Sequence, residues 1–424
     1  MVRLTHIESL EFSLSRNATD TIIIGAGPYG LSIAAHLSAA HVAFRIFGQP
    51  MLNWRTKMPK GMHLKSDGFA SSLYDPTGRF TLPQYCAQRG IDYRDLGLPV
   101  ALETFTAYGM EFQKNLVPSL DPRDLARLDR GADGFRLTLS DGEAIEARRV
   151  IVATGISCFE YLPPELAGLP NTHCSHSADN HDLSKFGGKR VLVIGRGASS
   201  TDVAAILKDH GAIVEIVSRE PIIFHDPPSP KPRSFWERLK HPNLGLGPSL
   251  RSAVYTVFAR QFRLLPDHIR HRIVGRHLGP AAVWYIRDKL VGHVSMRSGY
   301  SIMSAAVRGD AVALCFRHRD GTSLALEADH VIAGTGYRVD LGRLKFLDDS
   351  LRSGLVMDGS SPALSSRFES SIPGLYFVGL ASAATFGPLT RFALGARFTA
   401  RLLSGHLRRH RAPQILGPLS RAST

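Results

Sequence analysis

The chain has 424 residues, 44% hydrophobic and 21% charged, an ordinary balance for a globular protein with room for two or three domains. Its apolar runs are short and broken by Arg, Gly or Pro, which excludes a membrane span, and its four cysteines form no C-x-x-C, which excludes a locally written zinc knuckle or redox dithiol. The formal charge of +14 favours anionic partners, but the arginines are scattered and no basic run interleaves with aromatics as a nucleic-acid groove requires.

Residues 1–19 read as an irregular lead-in without the apolar core or cleavage site of a signal peptide, so a cytoplasmic protein is expected. Thr21-Ile22-Ile23-Ile24 then form a β-branched strand that runs into Gly25-Ala26-Gly27-Pro28-Tyr29-Gly30 and a helix over 31–40. In this Gly-x-Gly-x-x-Gly pattern Gly25 makes the tight turn, Gly27 admits a pyrophosphate to the backbone, and Gly30 lets helix pack on strand. The phosphates would lie on unpaired N–H groups at the helix N-terminus, with Pro28 and Tyr29 beside them. A second strand over 42–47 ends in Gly48-Gln49, where an acidic ribose ligand is usual, so Gln49 makes that hydrogen bond or the adenosine is held differently.

Residues 50–75 lack clean periodicity and read as a long functional loop, in which Trp54 packs and His63, Lys65 or Ser66 supply polar contacts. Helices follow over 82–89 and 102–116. A meander comes next, with strands over 135–139, 144–146 and 149–152 around the Asp141-Gly142 turn, ending in Ala153-Thr154-Gly155.

The pattern then starts again. A strand over 190–194 leads to Gly195-Arg196-Gly197-Ala198-Ser199-Ser200, a helix over 201–210 and a strand over 213–217. Later come strands over 312–316 and 323–326 about Asp320-Gly321, and a strand from His330 to Gly334-Thr335-Gly336. Four features repeated in order indicate an internal duplication. The second unit's strand ends in Ser218-Arg219, and a guanidinium there suits the 2′-phosphate of NADP. Ser200 stands where the third glycine would be. Residues 224–296 interrupt this unit. They open on the Pro-rich segment 226–233, continue through helical stretches over 235–240, 250–262, 267–278 and 281–291, and build a substrate wall or a homo-oligomer contact. The chain closes with a strand over 374–380, a small-residue loop over 381–388, a helix over 389–401 and a frayed basic end at 407–411.

Two nested dinucleotide folds with Ala-Thr-Gly and Gly-Thr-Gly strand ends resemble the two-dinucleotide-binding-domain flavoproteins, the broad group with the flavin-containing and N-hydroxylating monooxygenases. The stretches that carry the likeness are Gly25–Gly30, His176-Ser177 ahead of Gly188-Lys189-Arg190, Gly195–Ser200 with Asp202, and Gly334-Thr335-Gly336-Tyr337. The run from Gly48 to Ser66, with Phe386-Gly387-Pro388, resembles a bacterial subfamily of FAD-dependent oxidoreductases. The monooxygenase fingerprint Phe-x-Gly-x-x-x-His is incomplete, since no Phe-x-Gly precedes His176.

The resemblance implies an α/β chain of two Rossmann-like domains of the three-layer ββα type. An NADPH domain (161–333, with its helical insertion at about 225–296) would interrupt an FAD domain (20–160 and 334–424). It implies FAD on Gly25, Gly27, Pro28, Tyr29, Gly30, Gly48, Gln49, Trp54, Thr154, Gly155 and Gly379. NADPH would take Gly195, Gly197, Ser199, Ser200, Arg219, Thr335 and Gly336, and no metal is called for. Trp54, His63, Lys65, Ser66, Phe386 and Arg391 would line the substrate pocket. The implied activity is a monooxygenation of a small-molecule nitrogen, sulfur or ketone centre by molecular oxygen through a flavin C4a-hydroperoxide. The alternatives are an NADPH-dependent reductase serving a protein, quinone or disulfide acceptor, and a non-catalytic flavoprotein module.

Overall fold

The computed structural model describes residues 18–228 and 234–409. Strand β1 (Ala18–Ile24) carries the β-branched run, and Thr21 to Ile24 are buried on both faces, which places the strand at the centre of a sheet. It feeds α1 (Pro28–Ala39), whose proline sits in the first turn where no N–H is needed. The short return strand β2 (Arg45–Phe47) follows, then α2 (Leu52–Thr56), α3 (Leu82–Gln88) and α4 (Leu102–Leu116).

A meander of β3 (Leu125–Gly131), β4 (Gly134–Leu139) and β5 (Ala144–Val152) completes the first stretch. β5 pairs antiparallel with β4 over its first half and parallel with β1 along most of its length, so one strand joins the meander to the parallel sheet.

After α5 (Pro164–Ala167) the chain builds a second sheet from β6 (Cys174–His176), β7 (Arg190–Ile194), β8 (Ile213–Ser218), β9 (Ser295–Ser298) and, later, β13 (His330–Ala333). All five are parallel, in the order β6-β13-β7-β8-β9. Alternation decides what covers each face. Val191 and Val193 point to α6 (Ala198–Asp209) with its Val203 and Leu207. Leu192 and Ile194 point to Val312, Leu314 and Phe316 of a second meander, β10 (Tyr300–Arg308), β11 (Ala311–His318) and β12 (Ser323–Ala328). Helix, parallel sheet and meander therefore form three layers.

Between β8 and β9 lie α7 (Phe235–Lys240), α8 (Leu250–Val257), α9 (Asp267–Arg276) and α10 (Arg287–Leu290). Past β13 come α11 (Asp349–Ser353), the small hairpin β14 (Met357–Asp358) and β15 (Ser361–Pro362), then β16 (Leu375–Phe377). β16 pairs parallel with β5 and so returns to the first sheet. Helices α12 (Ala383–Phe386) and α13 (Gly395–Arg409) end the described chain. Ala396, Ala400, Leu403 and Leu407 give α13 one buried stripe, which packs on α1.

Several expectations are corrected. The strands over 144–146 and 149–152 are one strand, and β3, β9 and β10 were not expected. Residues 42–44 lie outside β2, and residues 18 and 19 of the supposed lead-in are already strand, while 1–17 lie outside the described residues. In the insertion the stretch 281–291 is helical only from Trp284, as a 3-10 turn (Trp284–Ile286) that runs into α10, while Ala282 bridges Phe224 instead. The helix over 250–262 stops at Val257, and that over 267–278 at Arg276. Of the Pro-rich segment, residues 229–233 lie outside the described residues. The C-terminal helix does not begin at 389. Gly387, at φ +80°, and Pro388 break the chain, Phe392 is extended, and α13 starts at Gly395 and runs to Arg409 rather than fraying from 407; residues 410 and 411 lie outside the described residues.

Candidate active site

The two Gly-rich turns open onto one cavity of about 2470 Å³. On the first side Gly25 lies at φ +107°, and a Cβ there would come within 2.5 Å of the Ala153 carbonyl. A Cβ on Gly30 would fall 1.9 Å from the Gly25 carbonyl oxygen, so that glycine is needed for α1 to approach β1. Gly27 differs. Nothing lies within 4 Å of its Cβ position, and it borders the cavity just before the unpaired N–H groups of α1.

The cavity wall includes Gly25, Gly27, Pro28, Tyr29, Gly48, Gln49, Trp54, Lys65 and Ser66, together with Thr154, Gly155, Gly379 and Arg391. Opposite them it includes Gly195, Gly197, Ser199, Arg219, Thr335 and Gly336. Four residues expected at the site do not line the cavity. Gly30 is buried in the α1–β1 contact, and the Ser200 hydroxyl donates to the Gly334 carbonyl at 3.0 Å, tying α6 to β13. Phe386 is fully buried and stacks on Phe368 with ring centroids 4.0 Å apart. His63 is exposed, its ring edge-on to Tyr285 at 5.8 Å. Trp54 lines the cavity while its ring meets Phe105 at 4.7 Å.

More than half of the chain, residues 19–246, matches the family model of the pyridine nucleotide-disulphide oxidoreductases. The chain belongs to that family. A ferredoxin–NADP reductase of Thermus thermophilus is 26% identical over 49% of this chain, and the chain spans 55% of that protein's length. A ferredoxin–NADP reductase of Gluconacetobacter diazotrophicus is 25% identical over 85% of this chain and 83% of that protein. Among solved structures, the ornithine N-hydroxylase of Kutzneria sp. 744, with reduced FAD, NADP+ and L-ornithine, superposes with a TM-score of 0.71. It is 16% identical, covers 92% of this chain and 99% of its own, and shares the two-domain α/β fold.

In this pyridine nucleotide-disulphide oxidoreductase family member, Cys158 is the one cysteine bordering the cavity among the described residues. The two sides of the cavity are joined by an ion pair. Lys65 Nζ lies 3.0 Å from Oδ2 of Asp202, one turn into α6. The Asp202 side chain is 3% exposed and that of Lys65 33%. Burial pushes the Asp202 carboxyl above its usual range, and the Lys65 charge and hydrogen bond pull against that shift.

The insertion supplies further ties. The Tyr285 hydroxyl donates to the His63 carbonyl at 3.1 Å, and Asn243 Nδ2 donates to Asp67 Oδ2 at 3.0 Å. Arg391 donates to the carbonyls of Val274 and His277 at 2.9 and 3.1 Å, and burial lowers its pKa.

His176, part of the His-Ser pair, is structural. Its Nδ1 accepts from the Ala178 N–H at 3.2 Å, and Nε2 then donates to the Gly336 carbonyl at 3.1 Å. Burial takes its pKa down to about 4, so the ring is neutral and holds the Thr335-Gly336 strand end in place.

Sequence reasoning placed none of Tyr285, Asn243 or Asp124 at the cavity and did not foresee the pairing of Asp202 with Lys65 on its wall. Asp202 had a signal, as an acid three residues past Ser199 on the same helix. Asp124 borders the cavity at the Gln49 end, on the loop before β3. Asp121, on the same loop, bridges Phe47 of β2, a meeting of segments far apart in sequence that leaves no local cue.

Proposed function

We propose that the chain is a cytoplasmic, single-component flavin-dependent monooxygenase that consumes NADPH and oxygenates a nitrogen or sulfur centre of a small molecule. The reading rests on one observation: two Gly-rich helix N-termini face a single cavity that the insertion closes with Asn243, Leu246, Trp284 and Tyr285. That cavity, at about 2470 Å³, exceeds the roughly 300–1,000 Å³ of a single-ligand pocket, leaving room for two dinucleotides and a substrate.

The residues fit FAD at the first turn. A side chain on Gly27 would project into the cradle, and the first turn of α1 holds no acid to repel a pyrophosphate. Gln49 or Asp124 would hold the ribose. Thr154, Gly155 and Gly379 would border the rest, and Tyr29 would fix the wall through its hydroxyl bonds to the Thr390 and Phe392 carbonyls. FAD, when bound, supplies electron acceptance from NADPH and activation of dioxygen. Lys65, Ser66, Trp54 and Arg391 would shape the space beside it, and the insertion would exclude water. We place the domain limits at 20–160, 161–333 and 334–424.

At the second turn Gly195, Gly197, Ser199, Thr335 and Gly336 would receive NADPH, with Arg219 on the 2′-phosphate. The neighbouring Glu220 carboxylate is held by Arg196 at 2.7 Å and by Arg319 at 3.6 Å, which offsets its repulsion of that phosphate. Arg219→Ala should raise KM for NADPH by about ten- to a hundredfold, the worth of a charge-assisted bond, and leave KM for NADH unchanged. Equal effects on both cofactors would remove Arg219 from this role.

The second reading, a reductase with a protein, quinone or disulfide acceptor, has the long alignment to the Gluconacetobacter reductase in its favour. Turnover of FAD-loaded protein with NADPH and ¹⁸O₂ on amine and thioether panels decides between them. Label in a hydroxylated or S-oxygenated product is the expected result. Rapid reduction of an iron–sulfur protein or quinone, with no labelled product, would establish the reductase.

A further inference from the structure

We propose that the outward face of α8 and the turn after it form a docking surface for an anionic lipid bilayer. The helix is two-sided. Ser252 and Ala253, and beyond its end Ala259 and Phe262, are buried, with Ala259 packing in a cluster with Leu246 and Leu389. The other side shows Leu250 (63% exposed), Val254 (42%), Val257 (61%) and Phe258 (53%). Their i, i+4, i+7, i+8 spacing makes one continuous stripe along the helix. Leu264, 73% exposed, lies in the turn beyond the helix end.

Single exposed apolar residues are normal on a globular surface, whereas a stripe of four along two turns, with a fifth exposed leucine close behind it in sequence, marks a contact surface. Elsewhere in the insertion α7 also exposes Phe235 (71%) and Trp236 (66%), their rings 5.5 Å apart.

The charge around the stripe identifies the occupant. Residues 249–267 contain Arg251, Arg260 and Arg263 against one acid, Asp267, whose carboxylate pairs with Arg270. Arg251, Arg260 and Arg263 are exposed on the same stretch as the apolar residues. Apolar side chains flanked by arginines are what a helix lying in the headgroup plane presents: the stripe enters the acyl boundary while the cations meet lipid phosphates. A second copy of this chain would bring the same cations against each other, which disfavours self-association. An acidic soluble protein answers the charge but leaves less use for such protruding aliphatic and aromatic groups. Ser249 and Ser252 of this segment border the cavity, so docking would set the insertion wall at the bilayer surface. The proposal does not depend on which flavin reaction the site performs.

Flotation of the full chain with phosphatidylcholine vesicles, with and without phosphatidylglycerol, tests it. Binding is expected only to the phosphatidylglycerol-containing vesicles, with release by high salt. Val257→Ser/Phe258→Ser should weaken it by at least about tenfold, since two apolar side chains lose their burial in the acyl boundary. Arg251→Glu/Arg260→Glu, a surface change that leaves the core intact, should abolish the preference for anionic lipid. Circular dichroism melting should be unchanged in both variants. The proposal is overturned by failure to float with anionic vesicles, or by binding that neither variant alters. It is equally overturned if Val257→Ser/Phe258→Ser instead splits a dimer on gel filtration, or releases an acidic protein, in a chain that never binds vesicles.

Discussion

Gly27→Asp will give a folded protein that no longer retains flavin, whereas Gly30→Ala will give one that does not fold stably. The two glycines lie three residues apart in one turn, and their surroundings are opposite. At Gly27 the backbone has φ −86° and ψ −170°, open to any residue, and nothing lies within 4 Å of a Cβ. An aspartate there costs the fold less than about 0.5 kcal/mol. It does set a carboxylate at the helix N-terminus proposed for the pyrophosphate, and FAD affinity should fall by about a hundredfold or more. At Gly30 the added methyl would sit 1.9 Å from the Gly25 oxygen and 3.0 Å from its carbonyl carbon, both backbone atoms that cannot rotate away. Separating α1 from β1 costs about 3 kcal/mol or more, and the loss appears in melting before any cofactor is added. Visible absorbance after reconstitution, read beside circular dichroism melting, separates the two outcomes. Equal retention of flavin in Gly27→Asp would exclude this turn as the pyrophosphate site.

Lys65→Met will destabilise the protein by about 2–3 kcal/mol at neutral pH, while the double variant Lys65→Met/Asp202→Asn will recover most of that loss. Removing one member of a buried pair strands the other charge, and Asp202, at 3% side-chain exposure, has no access to water. The loss falls below the usual cost of breaking a fully buried pair because the Lys65 side chain is one-third exposed.

The pH dependence follows from the direction of the Asp202 shift. Burial already holds the carboxyl above its ordinary value, and without Lys65 it rises further. A carboxyl with a raised folded-state pKa binds more protons folded than unfolded, so stability falls as pH climbs from the ordinary carboxylate range through the raised value. The deficit of Lys65→Met should therefore be absent in acid and open as pH rises, and denaturation series at several pH values will show it. A pH-independent deficit would mean that Lys65 contributes by packing alone.

What the sequence revealed, and what it hid, divides by the range of the interactions concerned. The two strand–turn–helix units were legible because their signals are local. Ile22 to Ile24 and Val191 to Ile194 are β-branched or aliphatic runs that end in glycine, and each helix starts within three residues of that turn. β3 escaped notice because it is an edge strand in which Arg127 and Asp129 pair with each other, Arg127 also reaching Asp348, so apolar alternation survives only around Leu128. The contacts that join the cavity's two sides are long-range: Tyr285 reaches back to His63, Asn243 to Asp67, and Lys65 forward to Asp202. No periodicity records such meetings. The family resemblance implies Phe386 as a pocket residue, yet the helical turn of α12 points it into the Phe368 stack.

The pairing of β16 with β5 has a consequence for how the molecule is made. A ribosome releases β1, α1 and the first meander early, but the strand that covers the far edge of β5 emerges only after more than two hundred further residues. Every strand of the interrupting sheet has by then left the exit tunnel, so that unit can fold while its host is still incomplete. Through all that time the nascent host shows a bare edge at Val150 to Val152, the kind of surface that holdase chaperones shield, and it closes only once β16 has emerged.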